Sequence, residues 1–307
     1  MNQRPFKQVD VFTAQAYRGN PLGVVLDGRS LTTAQMQHFT NWTNLSECTF
    51  LQPPTQAEAD YQMRIFCPGR ELPFAGHPTL GSCHAWLEAG GRPKAEYIVQ
   101  ECGVGLVKIK RDAASGRLAF AAPPLIKSGP LDEADVALIA RGLNIERSNI
   151  IAHAWCDNGP NWRGVMLRSA EAVLALQPDS VILAGLDIGV VGARRQAGAA
   201  GPSQGAKAPL GGSDDALAQS IGAGDNTQFE VRAFFPGNNG LCEDPVTGSL
   251  NAAIAQWLIG AGLAPSHYVA AQGTALSRSG RVHVESEGDV IWVGGASVTC
   301  IDGTVLL

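Results

Sequence analysis

RIFCPGRELPFAGHPTLGSCHAWL (64–87) and RAFFPGNNGLCEDPVTGSLNAAIAQWL (232–258) read as two versions of one pattern. With a single gap allowed, Arg64 aligns with Arg232, Phe66 with Phe234 and Pro68 with Pro236, all 168 residues apart. Beyond the gap Pro78 aligns with Pro245, Gly81 with Gly248 and Ser82 with Ser249, now 167 apart, a register that makes His77 the counterpart of Asp244. Self-similarity at a fixed long spacing is the mark of a duplicated unit and governs how every local motif is read. A weaker match sets RGNPLGVVL (18–26) against NGPNWRGVML (158–167), a Gly/Asn/Pro turn before a β-branched run in both. Its spacing of about 140 gives the first copy a longer front end.

Each copy predicts a strand, a turn and then a helix. Residues 61–66 and 229–235 alternate as strands, and Pro68-Gly69 breaks the first. A helix is predicted to open at His77-Pro78 and run to Leu87, and another to open at Asp244-Pro245 and run to Leu258. Further strands are expected at 9–12, 24–26, 98–100, 106–110, 282–285 and 290–293. Surface helices are expected from Thr32, with Gln35 completing a capping box, and near Asp132 and Ser169. The resulting class is α+β, with two pseudo-symmetric lobes, each a curved mixed sheet wrapped around a central helix. The lobes are expected at 1–127 and 128–307, with the last strand able to pack on the N-terminal lobe. Residues at about 191–226, rich in Ala, Gly and Ser, read as an insertion with one short helix at 215–221.

Composition removes several function classes. The 307 residues are 45% hydrophobic and 17% charged, and that length and balance suit two cored lobes. The formal charge is −5 and the Lys and Arg residues are scattered, so nucleic acid is not an expected partner. No positive-then-apolar leader and no run of 18 apolar residues occurs, which predicts a cytoplasmic protein with no membrane association. Seven cysteines without a C-x-x-C pair speak against a disulfide framework and, with six histidines that form no ligand motif, against a metal site. Gly103 and Gly105 lack the third glycine and helix of a dinucleotide fingerprint.

If the two copies face each other, both helix starts point into one cleft. Unpaired N–H groups and the partial positive charge there favour carboxylates. Gly76 and Gly248 would let a ligand approach the backbone, and Ser249 would add a hydroxyl donor. His77 and Asp244 would face the ligand from opposite walls, although each can also be read as a plain helix cap. Glu47, in NLSECTF, reads by composition as a solvated glutamate. A carboxyl flanked by apolar residues in a cleft would instead have its pKa raised toward neutrality, as a shuttling acid/base needs. The cysteines form no symmetric pair across the copies, and Cys48 alternates away from Glu47, so it reads as packing.

Taken together and in this order, VDVFTAQAYRGNPLGVVL, NLSECTF, ELPFAGHPTLG and EDPVTGSL resemble the PhzF-like phenazine-biosynthesis family, whose two-lobed architecture is that of diaminopimelate epimerase. The resemblance spans nearly the whole chain outside the insertion. It implies that Glu47 is the general acid/base and that His77 and Asp244 flank the substrate. Asn20, Gly76, Gly248 and Ser249 would complete the pocket. The implied activity is isomerisation of a small amino-carboxylate like trans-2,3-dihydro-3-hydroxyanthranilate by relocating one proton, without metal or organic cofactor, in a homodimer. Departures from the family pattern are Cys48 after Glu47 and the insertion. Two other readings stand beside it: an amino-acid racemase or epimerase, which the missing thiol pair opposes, and a non-catalytic protein that binds a small ligand.

Overall fold

The computed structural model describes residues 2–194, 226–237 and 240–307. In the first half β1 (Gln3–Val11), β2 (Asn20–Val25), α1 (Thr33–Thr43), β3 (Cys48–Gln52), β4 (Tyr61–Cys67) and β5 (Arg70–Leu72) precede α2 (Gly76–Glu88). The half closes with β6 (Ile98–Cys102), β7 (Gly105–Arg111) and β8 (Leu118–Ala121). After α3 (Glu133–Gly142) the second half follows: β9 (Ile150–Trp155), β10 (Arg163–Leu167), α4 (Ala170–Leu174), β11 (Ile188–Ala193), β12 (Phe229–Gly237) and β13 (Gly240–Asp244). Then come α5 (Gly248–Gly260), β14 (His267–Gln272), β15 (Gly280–Glu287) and β16 (Val290–Gly295), with β17 (Ser297–Leu306) last.

The strand pairings repeat between halves. In the first, β1–β2 is antiparallel, β2–β3 parallel, β3–β4 antiparallel, β4–β6 parallel, and β6–β7–β8 antiparallel, with β5 paired to β4. In the second, β9–β10 is antiparallel, β10–β11 parallel, β11–β12 antiparallel, β12–β14 parallel, and β14–β15–β16 antiparallel, with β13 paired to β12. An antiparallel β8–β16 ladder joins the two sets, and β17 returns to pair with β1. The result is the mixed-sheet α+β class expected from the sequence, with the strands forming one hydrogen-bonded ribbon.

Burial explains why the central strands are apolar on both faces. Inside the ribbon, Leu80, Cys83 and Ala85 of α2 and Leu250, Ile254 and Leu258 of α5 join one core with strand residues of both halves. Outside it, Met36 of α1 packs with Val25, Phe50 and Phe66, while α3 and α4 cover β10–β12 through Ile139 and Val173. Strands covered on both faces lose the polar alternation of a half-solvated sheet. Thr32 caps α1 with the predicted box, its hydroxyl accepting from Gln35 N while Gln35 Oε1 accepts from Thr32 N.

The repeat register expected from the sequence is corrected. The β4–β5 ladder has three residue pairs, Ile65↔Leu72 to Cys67↔Arg70, whereas β12–β13 has five, Ala233↔Asp244 to Gly237↔Gly240. Two extra pairs insert four residues, so the spacing between copies grows from 168 before the hairpin to 172 after it, not 167. Gly76 therefore corresponds to Gly248, His77 to Ser249 and Leu72 to Asp244. Side chains agree with this register: Arg64 forks onto Glu71 and lies over Phe66, and Arg232 forks onto Glu243 and lies over Phe234. The second central helix starts later than expected, with Thr247 rather than Asp244 at its N-cap position. Asp244 instead ends β13. The insertion also begins later, because Val191 is buried within β11, which continues to Ala193. The helix expected at 215–221 lies outside the described residues.

Candidate active site

Asn20 is delivered by a constrained turn. Buried Asp10 accepts from the backbone N–H of Arg18 at 2.7 Å and of Gly19 at 2.9 Å. At Gly19 a Cβ would lie 2.2 Å from Val11 O, so only glycine fits. Asn20, completely buried, then opens β2 and donates through Nδ2 to Asp244 Oδ1 and to Val246 O, both at 2.9 Å. Two acceptors on that atom fix the amide orientation.

Glu47 sits between α1 and β3. Asn44 ends α1 in the left-handed region at φ 57°, a conformation Asn tolerates, and the chain turns through Leu45 and Ser46 to present the carboxyl. Glu47 Oε2 lies 3.3 Å from His77 Nε2 without the alignment of a hydrogen bond, and both atoms are buried without a partner. The Glu47 side chain keeps 17% exposure, so the carboxyl is reachable at one edge. Burial, helped by the negative charge of Asp244, pushes Glu47 up to about 8 from the ordinary carboxylate value of 4.5. Cys48 points the other way, into the α1 cluster, with Sγ 3.4 Å from Thr43 Oγ1, as its alternation with Glu47 predicts. Burial raises its thiol to about 11, which leaves it protonated at neutral pH.

His77, the second residue of α2, is buried and its pKa is pushed down to about 3, so the ring is neutral. Its Nδ1 lies 3.4 Å from the Asn20 amide nitrogen, which has no lone pair to offer, a contact that suits the tautomer carrying its proton on Nε2, facing Glu47. Asp244 accepts from Asn20 at Oδ1 and from Thr247 Oγ1 at Oδ2, at 2.6 Å. Burial nevertheless raises it to about 6, against the opposing pull of those two donors. Glu47, His77, Asn20 and Asp244 thus form a continuous polar line between the halves. His77 and Asp244 reach it from unrelated positions in their repeats, rather than from the equivalent ones expected.

The two glycines let the helix starts meet. A Cβ on Gly76 would lie 2.8 Å from Gly248 Cα, and one on Gly248 the same distance from Gly76 Cα. Their missing side chains admit each other's helix start. Neither α2 nor α5 has a side-chain cap, so two bare helix starts meet here. Ser249, second in α5, accepts at Oγ from Trp162 Nε1 over 3.2 Å, which leaves its hydroxyl proton free to donate. Its carbonyl accepts from Asn158 Nδ2 at 2.8 Å.

Sequence reasoning missed Thr247, Gln272, Asn158 and Trp162. Asn158 and Trp162 lie in the NGPNW turn already matched to the Asn20 turn, so that match held a usable signal. Thr247 stood inside the quoted EDPVTGSL segment without a role of its own, and nothing local marked Gln272.

The profile of the PhzC-PhzF family, described as phenazine biosynthesis-like protein, matches residues 9–303. The chain is 34% identical to antisense-enhancing sequence 1 of Schizosaccharomyces pombe, over 99% of both chains. It is 28% identical to the trans-2,3-dihydro-3-hydroxyanthranilate isomerase of Pseudomonas chlororaphis, over 97% of this chain and 98% of that one. The crystal structure of a PhzF-family protein from Enterococcus faecalis superposes with a TM-score of 0.75 at 22% identity, covering all of both chains. The matched segment runs from within β1 to within β17 and takes in Asn20, Glu47, His77 and Asp244, and on that ground the chain belongs to the PhzC-PhzF family of phenazine biosynthesis-like isomerases.

Proposed function

We propose that the chain is an isomerase that relocates one proton on a small cyclic amino-carboxylate of the trans-2,3-dihydro-3-hydroxyanthranilate class, with Glu47 as the proton carrier and no cofactor taking part. The observation that supports this reading is the Glu47 carboxyl, whose buried Oε2 lacks a partner at 3.3 Å from a neutral His77 ring. With a pKa raised to about 8 it holds a proton at neutral pH. A substrate ammonium placed between Asp244 and Glu47 opposes that shift, because a nearby positive charge favours the carboxylate. The amino group itself would thereby convert Glu47 into a base, its carboxyl proton passing to solvent at the exposed edge. Glu47 then takes a proton from one ring carbon and returns it to another, so charge and proton count balance without an external acid.

The Nε2–H of His77 faces the carboxylate and stabilises it while the proton is away. The substrate carboxylate would lie at the bare starts of α2 and α5, against the Ser249 hydroxyl, with Gly76 and Gly248 holding the two starts together. The test is incubation with trans-2,3-dihydro-3-hydroxyanthranilate in deuterium oxide. Conversion with one solvent deuteron incorporated at carbon is expected. Neither conversion nor carbon-bound exchange on this compound or on other cyclic amino-carboxylates would overturn the reading.

A further inference from the structure

Behind each central helix lies a buried glutamine at the same place in the repeat. Gln100 ends its reach at Thr79 Oγ1, to which its Nε2 donates over 3.2 Å, while its Oε1 accepts from Tyr61 OH. Gln272, 172 residues on, accepts at Oε1 from Asn251 Nδ2 over 2.7 Å, and Asn251 is the counterpart of Thr79. Up to this point the two braces match, each linking a central helix to the strand that follows it.

Only the second brace goes further. Gln272 Oε1 also accepts from the Thr247 N–H at 3.0 Å, while its Nε2 donates to Thr247 Oγ1 at 2.9 Å and to Asp244 O at 3.2 Å. Thr247 Oγ1, having accepted from that amide, has its own proton to give, and the Asp244 Oδ2 at 2.6 Å receives it. The positions equivalent to Thr247 and Asp244 in the first half are Ala75 and Leu72, so there the brace has nothing to orient. We propose that Gln272 is a positioning residue for Asp244, acting through Thr247 by fixing the direction in which the threonine hydroxyl donates.

This rests on the reading of Asp244 as a substrate-facing carboxylate. The ionisable groups that face Asp244 are Glu47 from the α1–β3 turn, His77 from α2 through Asn20 and, next to it in sequence, Glu243. Burial raises the pKa of Asp244 and the charge of Glu243 adds to it, while Glu47, raised to about 8, is still protonated where Asp244 titrates. The Thr247 donor opposes that rise, and its direction depends on a neutral amide that titrates with nothing.

The experiment follows the side-chain carboxyl carbon of Asp244 by nuclear magnetic resonance during a pH titration of the full chain. It needs no substrate, so it stands or falls independently of the isomerase assay. The resonance is assigned with Asp244→Asn. Thr247→Val should move the midpoint up by roughly one pH unit, the scale of one hydrogen bond to a charged group, and Thr247→Ser should restore it. Gln272→Leu should also move it up, although that side chain does not touch the carboxylate. Gln100→Leu removes the matching brace and should leave the midpoint in place while lowering the unfolding temperature. If Gln272→Leu does not fold, the Val and Ser variants of Thr247 decide alone. An unmoved midpoint in Gln272→Leu or Thr247→Val, or an equal shift in Gln100→Leu, would overturn the proposal.

Discussion

Asn20 donates to Asp244 across 2.9 Å, a single hydrogen bond that links the start of β2 to the end of β13 and so crosses between the repeats. The same nitrogen serves Val246 O, so Asn20→Ala strands two acceptors at once in a buried place. Each orphaned group should lower stability by roughly 1–3 kcal/mol. Urea unfolding of the variant should therefore show a loss of roughly 2–4 kcal/mol with little change in slope. A loss below this range would mean that water replaces the amide.

Glu47→Gln should lower turnover by roughly 10²- to 10⁴-fold, since the amide keeps the shape but cannot take and return a proton. It should also alter the pH dependence of stability. The folded pKa of about 8 exceeds the ordinary 4.5, so the contribution of Glu47 is fully present below about 4.5 and is lost as pH rises through 8. Wild type should weaken relative to Glu47→Gln across that window, as read by thermal unfolding at each pH. Asp244 titrates in both proteins, so the difference between them reports Glu47 together with its coupling to Asp244. Parallel pH profiles would show that Glu47 is not buried as described.

Gly76→Ala and Gly248→Ala each drive a methyl group into the backbone of the facing helix, at 2.8 Å. Each should destabilise by roughly 1–3 kcal/mol. The double variant should lose less than the sum, because the helix starts that one methyl has spread apart leave room for the other. A double-mutant cycle in urea measures this directly. Full additivity would place the two strains at separate sites.

The twin Arg–Glu forks offer a comparison within one molecule. The Arg232 and Glu243 side chains are 7% and 11% exposed, against 25% and 39% for Arg64 and Glu71. Arg232 also donates to the carbonyls of Val173 and Leu176. Glu243→Ala leaves a buried guanidinium without its anion and should lose roughly 3–5 kcal/mol, whereas Glu71→Ala should lose roughly 1 kcal/mol or less. Equal losses in chemical denaturation would refute the dependence on burial.

Replacing 196–225 with a short Asn-Gly turn should leave a folded, cooperative protein. Ala193 already pairs with Phe229, and Arg194 N donates to Gln228 O at 2.8 Å, so the described strands flanking the replacement already lie side by side. Stability should stay level or rise by up to about 2 kcal/mol from the shorter loop. A cut begun at Val191, as the composition alone suggests, would instead remove a core residue. A molten product from the 196–225 replacement would show that the segment holds core contacts.

Much of this was legible in the sequence because duplication writes the same physics twice. The Arg-x-Phe strands, the first central helix and the capping box at Thr32 depend on local periodicity and turned out where the pattern placed them, while the second central helix kept its course but began later. The equivalence of His77 and Asp244 failed because two His/Asp-Pro dipeptides look alike while hairpin length, which sets the true register, leaves no local mark. Glu47 was promoted only by resemblance, since burial of a single carboxyl depends on what folds over it. Gln272 was illegible for the same reason: a glutamine at a strand end says nothing about a threonine 25 residues earlier until the ladder brings them together.

The unequal braces bear on why two copies share one chain. A symmetric pair of identical halves would carry any acid twice, and each wall would treat a bound ring alike. That suits a task with mirror symmetry, such as exchanging the two hands of a stereocentre. Carrying a hydrogen from one carbon to a different one has a beginning and an end, and needs walls that differ. Covalent joining lets Leu72 stay silent while Asp244 becomes polar, and Ser249 stay small while His77 sets a neutral ring beside Glu47. The scaffold keeps its twofold economy in the strands and gives up symmetry only where direction matters.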